Sequence, residues 1–235
     1  MKLIILAGGF GTRLKTAVPD VPKALAPIGT VPFLHLQIEH WVKQGLRDFT
    51  FLLYHQADQI IEFLEQQRGG ILKDCQFNWL VEQKPMNTGG AVANAVKELG
   101  LDDDFLLTNG DTWLGDGILK MMKSTSPAMA AVSLPNISRY GQVHYEKNHI
   151  VTAFTEKNPQ ATSGWINAGL SKLCPSLFNE WDGQPFSLEQ NLFFRLAQDR
   201  KLIVVPLETD FIDIGVPDDF HRFCDWINND RRLSL

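Results

Sequence analysis

The sequence predicts an α/β fold: a mostly parallel, mixed sheet flanked by helices, with a smaller antiparallel β-rich lobe. Three observations lead there. Short apolar runs alternate with amphipathic stretches through residues 1–125, the pattern of βαβ units. The first run, Leu3-Ile4-Ile5-Leu6, is apolar at every position, as strands covered by helices on both faces are. Between 128 and 173 strand-like runs follow one another without a long helix, which fits an antiparallel insertion.

In chain order, strand 2–7 is followed by helix 33–45, where Phe33, Leu36, His40 and Trp41 recur at helical spacing. Strand 49–54 leads to helix 56–68, with Ile60, Ile61 and Leu64 on one face. Strand 77–82, helix 90–99, strand 105–110 and helix 117–124 complete the alternating part. Strands 128–134, 142–146, 150–155 and 165–173 form the β-rich stretch; helix 188–200, strand 202–207 and helix 217–229 close the chain. No repeat, low-complexity tract or flexible linker interrupts this order, so 1–235 reads as one domain, with parts of about 1–125 and 126–235.

Composition narrows the partners. Lys plus Arg number 22 against 27 Asp plus Glu, a net charge of -5 without a basic run, which argues against nucleic acid. Three cysteines, Cys75, Cys174 and Cys224, show no paired spacing and fit a reduced, cytoplasmic compartment. The apolar stretch Leu3 to Ala7 runs straight into glycines; it is too short for a signal sequence or a membrane span. Six tryptophans and fifteen phenylalanines serve a core or a homodimer interface equally well.

Chemistry gathers at a few points. After the first strand comes Gly8-Gly9-Phe10-Gly11-Thr12-Arg13. Its glycines let the backbone turn several N–H groups toward one anion, and Arg13 adds a fork for phosphate oxygens. A Walker loop would end Gly-Lys-Ser/Thr, and a dinucleotide-binding loop would carry glycine at Leu14 and a helix beyond. Pro19 and Pro22 exclude that helix, and the stiffened segment carries Lys23, a second cation for the phosphates. Asp111 ends an apolar strand, where ligands meet a doubly wound sheet. Asp213 lies among Phe211, Ile212 and Ile214 and needs a partner such as a metal. Both acids suit Mg²⁺, which takes one or two carboxylates plus substrate phosphates. Glu156, Lys157 and Asn167 supply groups for vicinal hydroxyls and one phosphate. Gln83 and Thr88-Gly89 precede a helix, where N–H groups can approach a planar base. Each feature has an ordinary counterpart when taken alone: a glycine turn, a solvated lysine, a helix cap, an edge-strand ion pair.

Their order selects between these readings. LAGGFGTRL (6–14), PKALAPIG (22–29), NTGGA (87–91), NGDT (109–112), FTEK (154–157), INAGL (166–170) and FIDIG (211–215) together resemble the sugar-nucleotide pyrophosphorylases. These are nucleotidyltransferases that join an NTP to a sugar 1-phosphate. VPDVPK, FSLEQ (186–190) and FIDIGVPDDF (211–220) are most similar to the guanylyltransferases of heptose or mannose 1-phosphate. Ala24 stands where the family often has a second proline, and Thr30-Val31 where it often has lysine. The resemblance implies a Rossmann-like fold of the nucleotide-diphospho-sugar transferase type, with sugar binding in the β-rich lobe. It implies GTP and a heptose 1-phosphate as substrates, and attack of the sugar phosphate on the α-phosphorus with loss of pyrophosphate. It also implies Mg²⁺ held by Asp111 and Asp213, with Arg13 and Lys23 balancing phosphate charge. Leu6, Ala7, Gly8, Gly9, Gly11, Thr12, Gln83, Thr88, Gly89 and Gly110 would hold the nucleotide, Glu82 being an alternative base reader. Gly141, Glu156, Lys157 and Asn167 would hold the sugar phosphate. A silent sugar-nucleotide sensor is the competing class, and the presence of both metal acids counts against it.

Overall fold

The computed structural model describes residues 1–233. The chain opens with β1 (Leu3–Leu6), then a 3-10 turn (Lys23–Leu25), the hairpin β2 (Pro27–Ile28) and β3 (Val31–Pro32), and α1 (Phe33–Lys43). There follow β4 (Asp48–Leu53), α2 (Ala57–Gln66), β5 (Gln76–Val81), α3 (Asn87–Leu99), β6 (Phe105–Asn109), β7 (Thr112–Leu114) and α4 (Ile118–Lys123). Next come β8 (Ala128–Leu134), β9 (Gln142–Tyr145), β10 (Val151–Thr155) and β11 (Gly164–Leu173). A π-helix (Leu188–Phe193) then runs into α5 (Phe194–Gln198), before β12 (Ile203–Leu207), β13 (Phe211–Asp213) and α6 (Pro217–Leu233).

Nine strands form one sheet with the order β10-β9-β11-β6-β1-β4-β5, and β8 and β12 join beside β11. β1 pairs in parallel with β4 and β6, and β4 with β5. The antiparallel strands are therefore an extension of this sheet and not a separate layer. β11 makes the join: Leu170 to Leu173 pair with β6, while Gly164 to Asn167 pair with β8. Its register shifts between Asn167 and Ser171, where Gly169 takes φ +73°; the bend lets one long strand serve several neighbours. Strands β7 and β13 stand apart as a two-stranded ribbon that pairs Thr112 with Asp213.

Burial follows the period of two along β1. Leu3 and Ile5 enter one core with Phe49, Phe51 and the inner faces of α1 and α2, while Ile4 enters a second core with α3 and the π-helix. All three residues are fully buried, which is why the run is apolar throughout. A third core packs α6 against the outer side of α1, with Phe223 edge-on to Phe33 at 5.0 Å. Among the described residues no helix is long and apolar enough to cross a membrane.

Two boundaries differ from the sequence pattern. Helix α3 begins at Asn87, so Gly89 and Gly90 lie inside its first turn; their lack of a side chain serves close packing, described below. Helix α6 runs to Leu233, beyond the apolar stripe that ends near Ile227, because its later residues are polar and carry no amphipathic signal.

Candidate functional site

The parallel strands β1, β4 and β6 end on the same side of the sheet, and the loops that leave them meet there. The first loop is shaped by its glycines. A side chain on Gly8 would lie 3.0 Å from Tyr54, and Gly11 takes φ +61°. Buried Leu14 anchors the far end in the third core, its N–H donating to the Gly11 carbonyl at 3.0 Å. Between these anchors the N–H groups of Gly8 to Arg13 have no hydrogen-bond partner among the described residues. A run of unpaired N–H groups at the end of a strand is an anion-binding concavity. Phe10, half-exposed at the tip, leans edge-on against Tyr54 with ring centroids 5.6 Å apart.

Asp111 is held by its turn. The Gly110 N–H donates to the Leu6 carbonyl at 2.9 Å, and a side chain at 110 would meet that oxygen at 3.1 Å. From α1, the buried Gln37 donates its amide to the carbonyls of Thr112 (2.8 Å) and Asn109 (3.3 Å). The Ile214 N–H reaches the Asp111 carbonyl at 3.0 Å. That bond and the β7–β13 ribbon bring Asp213 beside Asp111 from a hundred residues away.

The Lys23 ammonium lies between the two acids, 2.5 Å from Asp111 Oδ2 and 3.5 Å from Asp213 Oδ1. Burial and the Asp111 charge push the Asp213 carboxyl above its ordinary 3.8; Lys23, the Gly215 N–H at 2.8 Å and Arg13 pull it back. A side chain at Gly215 would meet Lys23 Nζ at 2.9 Å, so the glycine leaves the ammonium its place. Lys23, Asp111, Gly110, Ala7 and Gly9 share a hollow of about 30 Å³. Exposed Arg13 lies beyond it, on the Asp213 side.

A cleft of about 350 Å³ opens from this point, lined by Leu6, Gly8, Gly9, Thr88 and Asp111 among the expected residues, and by Tyr54, Glu82, Asn109 and Glu189 besides. Gly11 and Thr12 belong to the loop but not to the lining. Gln83 is exposed and outside it; the neighbouring Glu82 turns in. Strand alternation explains this, since adjacent residues at a strand end face opposite ways. Half-buried Glu82 accepts the Met86 N–H at 2.9 Å, and burial raises its pKa. Gly89 differs from expectation in another way. Its N–H and that of Gly90 donate to the Phe186 carbonyl, at 2.9 and 3.3 Å, and a side chain at 89 would lie 2.2 Å from the Phe186 ring. The glycine thus admits another part of the chain, not a base.

The four residues expected at a sugar phosphate lie together. Gly141, Glu156, Lys157 and Asn167 line one cavity of about 450 Å³ with Tyr140, Phe154, Phe193 and Phe194. Asn167 Oδ1 accepts the Gly169 N–H at 2.9 Å, which leaves its amide N–H groups to face the cavity. Gln37, Tyr54, Glu82 and Glu189 carried no signal in the sequence. The FSLEQ stretch drew notice only as part of a resemblance.

Comparison with known proteins gives the same picture. The model of the family described as "Nucleotidyl transferase" matches residues 2–225. The chain is 33% identical to a D-glycero-alpha-D-manno-heptose 1-phosphate guanylyltransferase of Campylobacter jejuni subsp. jejuni, over 97% of this chain and 100% of that protein. It is 29% identical to a mannose-1-phosphate guanyltransferase of Aspergillus oryzae, over 94% of this chain and 62% of that longer protein. Among solved structures, HddC from Yersinia pseudotuberculosis complexed with GMP-PN superposes with a TM-score of 0.82 at 27% identity, covering 96% of this chain and 99% of that one.

Proposed function

The chain belongs to the nucleotidyl transferase family, and on that premise we propose that it transfers GMP from GTP to D-glycero-α-D-manno-heptose 1-phosphate, releasing pyrophosphate. The observation that carries the reading is the convergence, at one end of one sheet, of an unpaired N–H loop, a Lys23–Asp111–Asp213 cluster and a polar-lined cavity beside them.

Each residue has work in such a transfer. The sugar phosphate is already an anion near neutral pH, so no general base is needed, and catalysis rests on positioning and on neutralising charge. The loop N–H groups and Arg13 receive the phosphates that become pyrophosphate. Lys157 meets the sugar phosphate, while Glu156 and the Asn167 amide bind hydroxyls. The paired carboxylates of Asp111 and Asp213 already face a cation, Lys23. An all-oxygen set of two carboxylates, with phosphates to complete the shell, fits Mg²⁺. When bound there, Mg²⁺ would neutralise charge developing on the phosphates.

Base choice follows from Glu82. Guanine presents an adjacent ring N–H and amino group, and a carboxylate, which only accepts, complements that pair. Uracil and thymine flank their single N–H with carbonyl oxygens, which a carboxylate repels. Adenine offers no ring N–H on that edge.

Pyrophosphate release with Mg²⁺ tests the proposal, using four NTPs crossed with heptose and mannose 1-phosphates. GTP with heptose 1-phosphate is expected to turn over fastest. Release from no pair would overturn the reading in favour of a sensor, and preference for mannose 1-phosphate would reassign the sugar. Glu82→Gln is expected to erode the preference for GTP over the other NTPs.

A further inference from the structure

We propose that Glu189 binds a substrate hydroxyl at the junction of the nucleotide and sugar cavities, and holds the two half-sites in fixed relation; this deepens, and rests on, the transfer reading above. Among the described residues Glu189 is the one side chain that lines both the 350 Å³ cleft and the 450 Å³ cavity. It sits on the π-helix Leu188–Phe193, and such turns are rare and concentrate at functional sites.

The carboxylate is built in on one side only. Its Oε2 accepts the Thr88 hydroxyl at 2.9 Å and the Ser187 hydroxyl at 3.1 Å. Thr88 in turn accepts the Leu188 N–H at 2.9 Å, and Ser187 accepts the Gln190 N–H at 3.2 Å. The tether therefore ties the first turn of α3, on the nucleotide side, to the π-helix, on the sugar side. Oε1 has no hydrogen-bond partner, and no Lys or Arg pairs with Glu189, among the described residues. An acceptor-only group without a cation repels phosphate and suits a hydroxyl donor. The donors available where a nucleotide meets a sugar are the hydroxyls of the ribose and of the sugar ring.

Titration calorimetry with GDP and with GDP-D-glycero-α-D-manno-heptose tests this without turnover, on the parent protein, Glu189→Ala and Glu189→Gln. Glu189→Ala is expected to lose roughly ten- to a hundredfold in affinity, the range for a hydrogen bond to a charged group, with an unchanged melting temperature. A loss for the sugar nucleotide alone assigns the sugar hydroxyl. An equal loss for GDP assigns the ribose, and 3′-deoxy-GDP or 2′-deoxy-GDP should then bind parent and variant alike. Glu189→Gln should lose less than Glu189→Ala, because its amide oxygen still accepts. Thr88→Val, which frees the carboxylate from α3, should fall between the parent and Glu189→Ala. Unchanged or improved affinity for both ligands in Glu189→Ala and Glu189→Gln would overturn the proposal while leaving the transfer reading intact. A parent that binds neither ligand would overturn both.

Discussion

At the residue scale the site is a problem of like charges brought together. Asp213 is held above the ordinary carboxylate range chiefly by burial and next by Asp111. A raised pKa in the folded state means that folding favours the protonated acid, so this group's contribution to stability is full at low pH and lost as pH rises through the shifted value. Asp213→Asn should therefore raise the melting temperature at neutral pH while abolishing pyrophosphate release; calorimetry and the coupled assay together check this. The acid limb of kcat/KM should lie above pH 3.8, the ordinary aspartate value, because the carboxylate must be ionised to hold a cation. Lys23→Met should move that limb further up, since the ammonium at 3.5 Å pulls the other way. Arg13→Ala should lower kcat at least a hundredfold, the scale of one preorganised charge contact, about 3–4 kcal/mol; near-full turnover would remove Arg13 from the mechanism.

At the element scale, positions in the site are set by contacts that cross between elements. Gln37 on α1 holds the Asp111 turn through two carbonyls. Gln37→Leu leaves those acceptors unpaired inside the protein, a cost of about 1–3 kcal/mol, and should lower kcat more than it raises KM for GTP. Gly89 on α3 admits Phe186 at a distance no side chain tolerates. Gly89→Ala must push Phe186 and the π-helix behind it, and should cost about 1–3 kcal/mol of stability. Adding Phe186→Leu should recover part of that loss, which a double-mutant cycle by urea unfolding measures. The same contrast explains what the sequence made legible. Long strands and helices announced themselves through apolar runs with a period, and Arg13, Lys23, Asp111 and Asp213 through glycine, proline or apolar neighbours. Strands β7 and β13 have three residues each, too few for a period. Gln37, Glu82 and Glu189 take their importance from neighbours remote in the chain, and nothing local marks them.

At the scale of the whole molecule, the expected division near residue 125 is crossed repeatedly. Asp213 comes from the last fifth of the chain to meet Asp111, and β11 carries Asn167 while pairing with β6. A separate β-rich lobe was the natural reading of 128–173, because pairing of β11 with β6 is a non-local event that leaves no trace in either strand alone. The unbroken ladder from β6 to β11 has one more consequence. Adjacent strands sit about 4.8 Å apart, and no linker intervenes, so the ladder is a ruler between the phosphate-handling end of β6 and the sugar-handling stretch of β11. A ruler does not stretch. A sugar bearing its phosphate at the far side of the ring would set its phosphorus a ring's width out of reach, and no joint in the sheet could close the gap. Hexose or heptose phosphates substituted away from the anomeric carbon should therefore bind in the cavity as competitive inhibitors and release no pyrophosphate.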